Sequence, residues 1–246
     1  MSIGRRRRGG LNPGGGFSPK AIPGLVFWAD ASYITGLNDG DSVTTWNDLS
    51  GNDNHATQST AAQKPILKLN IINGRPVVRF DATDDNLVIT NGGTLFQNKP
   101  GGIVIAVVAF NLTGNKQYLA ALTPAGAGRI IGAASPGYRI LDTDGFTGVT
   151  FPTLSTGTFY VLSLVINATA AQGQGFRNGT AGSIASGGTA GNFSDTSGLS
   201  TTLGVASTAT LNGDLATIVM YDRVLTTIER VRIERYFGSR YGITVL

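Results

Sequence analysis

Acid–base chemistry in this chain would have to be built from few residues. Its 246 residues include 15 Asp and Glu, a single His and no Cys. Glu229 and Glu234 are the two Glu. Glycoside hydrolysis needs two carboxyl groups facing one bond, about 5–5.5 Å apart for retaining chemistry. Both Glu fall in one short helical pattern, and Glu229 belongs to a capping signal there. The Asp groupings are Asp81 with Asp84 and Asp85, and Asp142 with Asp144. They lie in turn-like segments, where Asp is favoured because it bonds its own backbone. His55 stands alone in a Gly/Asn turn. Without Cys or a second His, the residues for thiol catalysis and for a transition-metal site are missing. The expectation is a protein that is not an enzyme, with no catalytic residues.

Binding chemistry is better represented. The formal net charge is +4, yet residues 1–20 alone carry five bases (Arg5, Arg6, Arg7, Arg8 and Lys20) and no acid. The other 226 residues therefore hold 14 bases against 15 acids, a net of −1. The basic character belongs to the N-terminal arm, and the near-neutral remainder lacks the broad basic face of a nucleic-acid binder. The arm is Gly- and Pro-rich and cannot fold alone. A solvated tail and a nucleic-acid or localisation signal are two readings. An anchor, with Arg5, Arg6, Arg7, Arg8 and Phe17 ordering on a partner's acidic surface, is the third. Sugar binding would need an aromatic platform beside planar polar groups. Tyr138 and Phe146 flank Asp142 and Asp144, which makes that loop a candidate glycan rim.

The elements that would position these residues read as all-β. Short β-branched and aromatic runs alternate with Gly, Asn, Asp, Ser and Thr turns about every 8–12 residues, the spacing of a sandwich or jelly roll. Expected strands include Leu25–Ala29, Pro76–Phe80, Asn86–Thr90, Phe159–Asn167 and Leu215–Tyr221. Shorter ones are expected at Tyr118–Leu122, Arg129–Gly132, Tyr138–Leu141 and Thr202–Gly204. Ile103–Phe110 is apolar at every position and reads as a central strand buried on both faces. Asn178-Gly179 after Gly175–Arg177 predicts a type I′ hairpin, because both residues tolerate positive φ. Residues 169–213 read mainly as loops between edge strands. One helix is expected near the end, opened by the capping box Thr226-Thr227-Ile228-Glu229 and stopped near Gly238. Leu225, Ile228 and Val231 would form its apolar stripe, with Arg230, Arg232, Glu234 and Arg235 in water. It would cover an open end of the sandwich through Tyr236, Phe237 and Tyr241. No apolar run approaches the roughly 20 residues of a membrane helix, and residues 1–20 lack the apolar core of a secretory signal.

Several segments resemble a known superfamily. Pro23–Ser32 (PGLVFWADAS) is similar to an opening strand, and Val43–His55 (VTTWNDLSGNDNH) to a W-x-D-x-S-G-x-x-N turn. Asn73–Asp81 (NGRPVVRFD) resembles an N-G-x-P-x-x-x-F-D strand. Phe176–Gly179 and Gly213–Leu225 resemble a hairpin and a closing strand. Together these residues resemble bacterial and phage members of the concanavalin A-like lectin/glucanase superfamily, of the laminin-G-like kind. The likeness spans about residues 21–246 and implies a two-sheet jelly-roll sandwich. It implies no single function, since this superfamily hosts lectins, hydrolases, lyases and structural modules. Its glycosidases carry an E-x-D-x-x-E strand, which this chain lacks. Trp28 and Trp46 fall in framework segments and are expected in the core. The resemblance also implies a calcium rim, which needs about 6–8 hard oxygens. Asp81, Asp84 and Asp85 are the candidate ligands; Asp48, Asn52, Asp53 and Asn54 form a second group, read as turn bracing. No other cofactor is expected.

The combined expectation is an all-β, concanavalin A-like two-sheet sandwich over residues 21–246, with one C-terminal helix and an extended arm over residues 1–20. A basic arm on a Cys-free jelly roll without a signal suits a non-enzymatic phage virion accessory, a capsid decoration protein or a tail or vertex appendage. Such a protein is made in the host cytoplasm and resides in the virion. Its partners would be capsid or tail proteins through the arm, and further copies of itself. The alternative is a lectin-like module for host or environmental polysaccharide. Neither a membrane nor nucleic acid is an expected partner.

Overall fold

The computed structural model describes residues 16–111, 117–123, 130–134, 137–141, 154–186, 191, 200–206 and 209–246. Among the described residues, seventeen strands and one α-helix follow in order. The first ten are β1 (Leu25–Asp30), β2 (Thr45–Trp46), β3 (Ala56–Thr57), β4 (Ile66–Ile72), β5 (Arg75–Asp81), β6 (Leu87–Ile89), β7 (Gly101–Phe110), β8 (Gln117–Thr123), β9 (Ile130–Ala134) and β10 (Gly137–Leu141). Then come β11 (Phe159–Asn167), β12 (Gln172–Arg177), β13 (Thr180–Ser186), β14 (Ser200–Leu203), β15 (Val205–Ala206), β16 (Ala209–Thr210), β17 (Asn212–Tyr221) and α1 (Thr227–Tyr241).

Two antiparallel sheets make an all-β sandwich. The larger runs β13-β12-β11-β7-β17-β5-β4, and the smaller runs β10-β9-β8-β14-β6-β3-β2. β1 also joins the larger sheet through β17. It pairs with Thr217–Tyr221, while β5 pairs with Asn212–Leu215, so the two lie end to end along one edge of β17. The other edge of β17 is held by β7.

Side chains alternate across each strand, and the larger sheet buries both faces. Toward the smaller sheet, Phe27, Phe80, Val104, Ala106, Val108, Leu162, Ile218 and Met220 pack with Trp46, Leu87, Ile89 and Leu203. On the outer face, Trp28, Val77, Ile103, Ile105, Val107, Val161 and Val219 pack with Ile233, Phe237 and Tyr241 of α1. All ten residues of β7 are buried. That is why its sequence does not alternate. Trp28 and Trp46 are both core residues.

The helix differs from expectation in place, stripe and length. It lies across the outer face of the larger sheet, against β7 and β11, and does not plug an open end. Its buried stripe is Arg230, Ile233, Glu234, Phe237, Gly238 and Tyr241, while Ile228 is 81% exposed. Arg230 and Glu234 are buried because they neutralise each other: Arg230 Nη1 lies 2.6 Å from Glu234 Oε1, which also accepts from Ser163 Oγ at 2.6 Å. The Arg230 guanidinium stacks 3.5 Å from the Phe176 ring centroid. Gly238 is interior, because a Cβ there would meet the Ile243 carbonyl and Val245. The stop is Gly242, left-handed at φ 71°. The capping box forms as expected. Arg223 also pairs with Glu229, and with the Thr226 amide it holds that carboxyl down to about 2.

The Asn178-Gly179 turn has φ of 50° and 85°, as a type I′ hairpin requires. It joins β12 to β13, the return strand that the hairpin requires. β4 was missed. It pairs with β5 through the Asn73-Gly74 turn, whose φ values are also positive.

Candidate functional site

The acidic loop after β5 is drawn inward by its own backbone. Asp81, Asp84 and Asp85 each bring an oxygen within 4.8 Å of the others. Asp85 Oδ2 accepts from the Asp81 amide at 3.0 Å, and Asp81 Oδ1 accepts from the Thr83 amide at 2.8 Å. Asp85 is 7% exposed. Burial, reinforced by the Asp81 charge, pushes its carboxyl up to about 6. Two of the cluster's oxygens are thus already engaged by loop amides, against the 6–8 ligands calcium takes.

The raised carboxyl has a measurable consequence. From about pH 4, where an unfolded Asp releases its proton, up to about pH 6, the folded chain keeps one that the unfolded chain has lost. The folded state binds more protons in that window, so this residue's contribution is full below it and declines as pH rises through it. Melting curves at pH 4.5 and pH 7 should show Asp85→Asn gaining stability relative to wild type at the higher pH, with little difference at the lower. An equal offset at both would refute the buried-acid account. Calcium added at pH 7 should raise the wild-type midpoint if the ion binds there.

The Asp48 loop is a brace. Asp48 Oδ1 accepts from the amides of Trp28 and Ser50, each at 2.9 Å. Its Oδ2 accepts from Ser50 Oγ at 2.7 Å and the Asn54 amide at 3.0 Å. His55 Nδ1 accepts from the Asp48 amide at 3.0 Å, which places the ring proton on Nε2. Asn52 and Asn54 donate to the Leu25 and Val26 carbonyls. These groups stitch the turn to β1.

The root of the arm is fastened to the outer face. Pro19 is buried and opens a short 3-10 turn capped by Ser18. Tyr221 donates its hydroxyl to the Pro19 carbonyl at 2.9 Å, and burial pushes that phenol well above its ordinary range, so it remains a donor. Phe17 meets Tyr236 edge-on, with centroids 5.5 Å apart, and Arg232 stacks 4.5 Å from the Phe17 centroid. Beside this contact opens a cleft of about 590 Å³, walled by Phe17, Tyr236, Arg75, Arg232, Arg235 and Arg240. Arg75 Nε donates to the Arg240 carbonyl at 2.9 Å, and Arg240 pairs at 3.1 Å with buried Asp30.

Of the site residues expected from sequence, the structure brings Asp81, Asp84 and Asp85 together and sets Phe17 on the body. Arg5–Arg8, Asp142, Asp144 and Phe146 lie outside the described residues. Tyr138 lies on β10, at one edge of the smaller sheet. The arginine cleft was not anticipated. Its one signal is Arg232 and Arg235 three apart on a helix, which puts both on one face. The Asn73-Gly74-Arg75 turn joins them only through the fold.

No protein-family model matches the sequence, and neither does any curated protein. Solved structures share the fold. Trypanosoma rangeli sialidase in complex with the inhibitor DANA is similar over 91% of this chain and 34% of its own, with a TM-score of 0.59 and 15% identity. The botulinum neurotoxin serotype D binding domain gives 0.58 at 9% identity, over 88% of this chain and 51% of its own. An α-L-arabinofuranosidase soaked with 4-nitrophenyl α-L-arabinofuranoside gives 0.56 at 14%, over 81% and 51%. The chain thus spans about a third of the sialidase and half of the other two. At these identities the likeness is one of fold: a β-sandwich shared by enzymes and a binding domain alike.

Proposed function

We propose that this chain is a non-enzymatic structural module of the concanavalin A-like, laminin-G-like kind, a phage virion accessory held to a capsid or tail protein by its basic N-terminal arm. The carrying observation is the root of the arm, where Phe17 and Pro19 are fastened to the body. An arm with a fastened root orders on a partner at lower entropic cost than a free tail. The carboxylates support the non-enzymatic reading. Glu229 is tied to Arg223, Glu234 to Arg230, Asp214 to Arg79 and Asp30 to Arg240. Self-association into a symmetric oligomer belongs to the same proposal.

The test is incorporation into particles. Because Phe17 and Pro19 pack on the body, the truncated chain begins at Gly16. The full chain should co-purify with virions at fixed stoichiometry, and the truncated chain should fold with an unchanged melt yet be lost from them. Equal occupancy would sink the tether. A second reading, a glycan-binding module, draws on the carbohydrate-processing neighbours. It is favoured if a polysaccharide array captures both chains equally.

A further inference from the structure

We infer that the arginine-walled cleft between the arm root and α1 is a binding site for a ring-bearing oxyanion, a carboxylate, sulfate or phosphate carried on a sugar-sized body. The inference stands on the cleft and does not depend on the virion reading.

Charge is the first argument. Arg75, Arg232, Arg235 and Arg240 line the cleft, and among the described residues no acidic side chain does. Asp30 offsets only Arg240. Arg235 is exposed and makes no hydrogen bond or ion pair among the described residues. Like charges gathered in a concave site repel one another, and an anion relieves that repulsion.

Preorganisation is the second. Arg75 is held through Nε by the Arg240 carbonyl, so its terminal nitrogens remain as a fork for an oxyanion. Arg232 is held by its stack on Phe17. Fixed guanidinium groups lose little entropy on capturing a ligand.

Size and lining give the ligand its body. About 590 Å³ falls within the range of about 300–1,000 Å³ typical of small-molecule sites. A bare oxyanion would leave most of it empty. Phe17 and Tyr236 supply an apolar wall, and Asn73 and Ser239 supply neutral polar groups beside it.

Calorimetric titration of the full chain tests this with four probes: a heparin-derived sulfated disaccharide, adenosine 5′-monophosphate, cellobiose and inorganic sulfate. At least one of the first two should bind tenfold or more tighter than both cellobiose and sulfate. Whichever is tighter identifies the anion's source, saccharide or nucleotide. Arg235→Ala and Arg232→Gln should each weaken that binding at least fivefold while leaving the melting temperature within about two degrees of wild type. Absence of binding by both ring-bearing anions would overturn the assignment. So would sulfate binding as tightly as they do, equal affinity for cellobiose, or affinities that neither variant changes.

Discussion

Glu234→Ala is expected to lower the melting temperature by roughly 10 °C, from a loss of about 3–5 kcal/mol. The reason is what it leaves behind. Arg230 is 6% exposed and Glu234 is wholly buried. Removing the carboxylate strands a guanidinium over the Phe176 ring, with Ser163 Oγ also losing its acceptor. Burying the charges in the first place opposes most of the attraction between them. The triple variant Arg230→Met, Glu234→Leu, Ser163→Ala should therefore fall within about 1–2 kcal/mol of wild type. Thermal melts of the two variants side by side decide the matter. A Glu234→Ala protein as stable as wild type would mean that the pair is not buried. A triple variant as unstable as the single would mean that helix packing, not charge, was lost.

Gly213→Ala should cost at least about 3 kcal/mol, above the common range for overpacking. A Cβ on Gly213 would lie 2.2 Å from the Ala109 carbonyl oxygen. That oxygen is backbone in β7, and Gly213 also pairs with Phe80 of β5 on the other side. Neither neighbour can move without breaking a ladder. At Gly102 the added carbon would instead meet the Phe96 ring first. A side chain can rotate where a strand cannot, so Gly102→Ala should cost less. Denaturant melts that rank the two the other way would refute this reading of the sheet's centre.

Much of the sandwich was legible because local rules and tertiary contacts agree there. β7 showed its two buried faces as an unbroken apolar run, and Asn178-Gly179 showed its turn through its tolerance of positive φ. β4 was illegible for a physical reason. Its burial does not alternate, since Leu69 and Ile71 remain exposed beside buried Leu67 and Ile72. The helix misled in the opposite sense. Charge at Arg230 and Glu234 reads as water-facing, and only the pairing of each with the other and with Ser163 lets both turn inward. The arginine cleft depends on Arg75 meeting the helix across 165 positions of chain. No local pattern encodes such a meeting. The clustering of Asp81, Asp84 and Asp85 needed only a tight loop and was visible at once.

The seating of β1 against β17 also sets a timetable for synthesis. Thr217 Oγ1 donates to the Ala29 carbonyl across 188 positions of chain. At about 5–20 residues per second, a ribosome needs roughly 10–40 s to make that interval. Throughout it, Phe27 and Trp28 have been made without the strand that completes their sheet. β5 waits for the same partner on the same edge. The nascent chain therefore accumulates apolar strands ahead of their central neighbour, and closure of the larger sheet waits for β17. Chaperone demand in the cell follows from that order of arrival, independently of how stable the finished sandwich is.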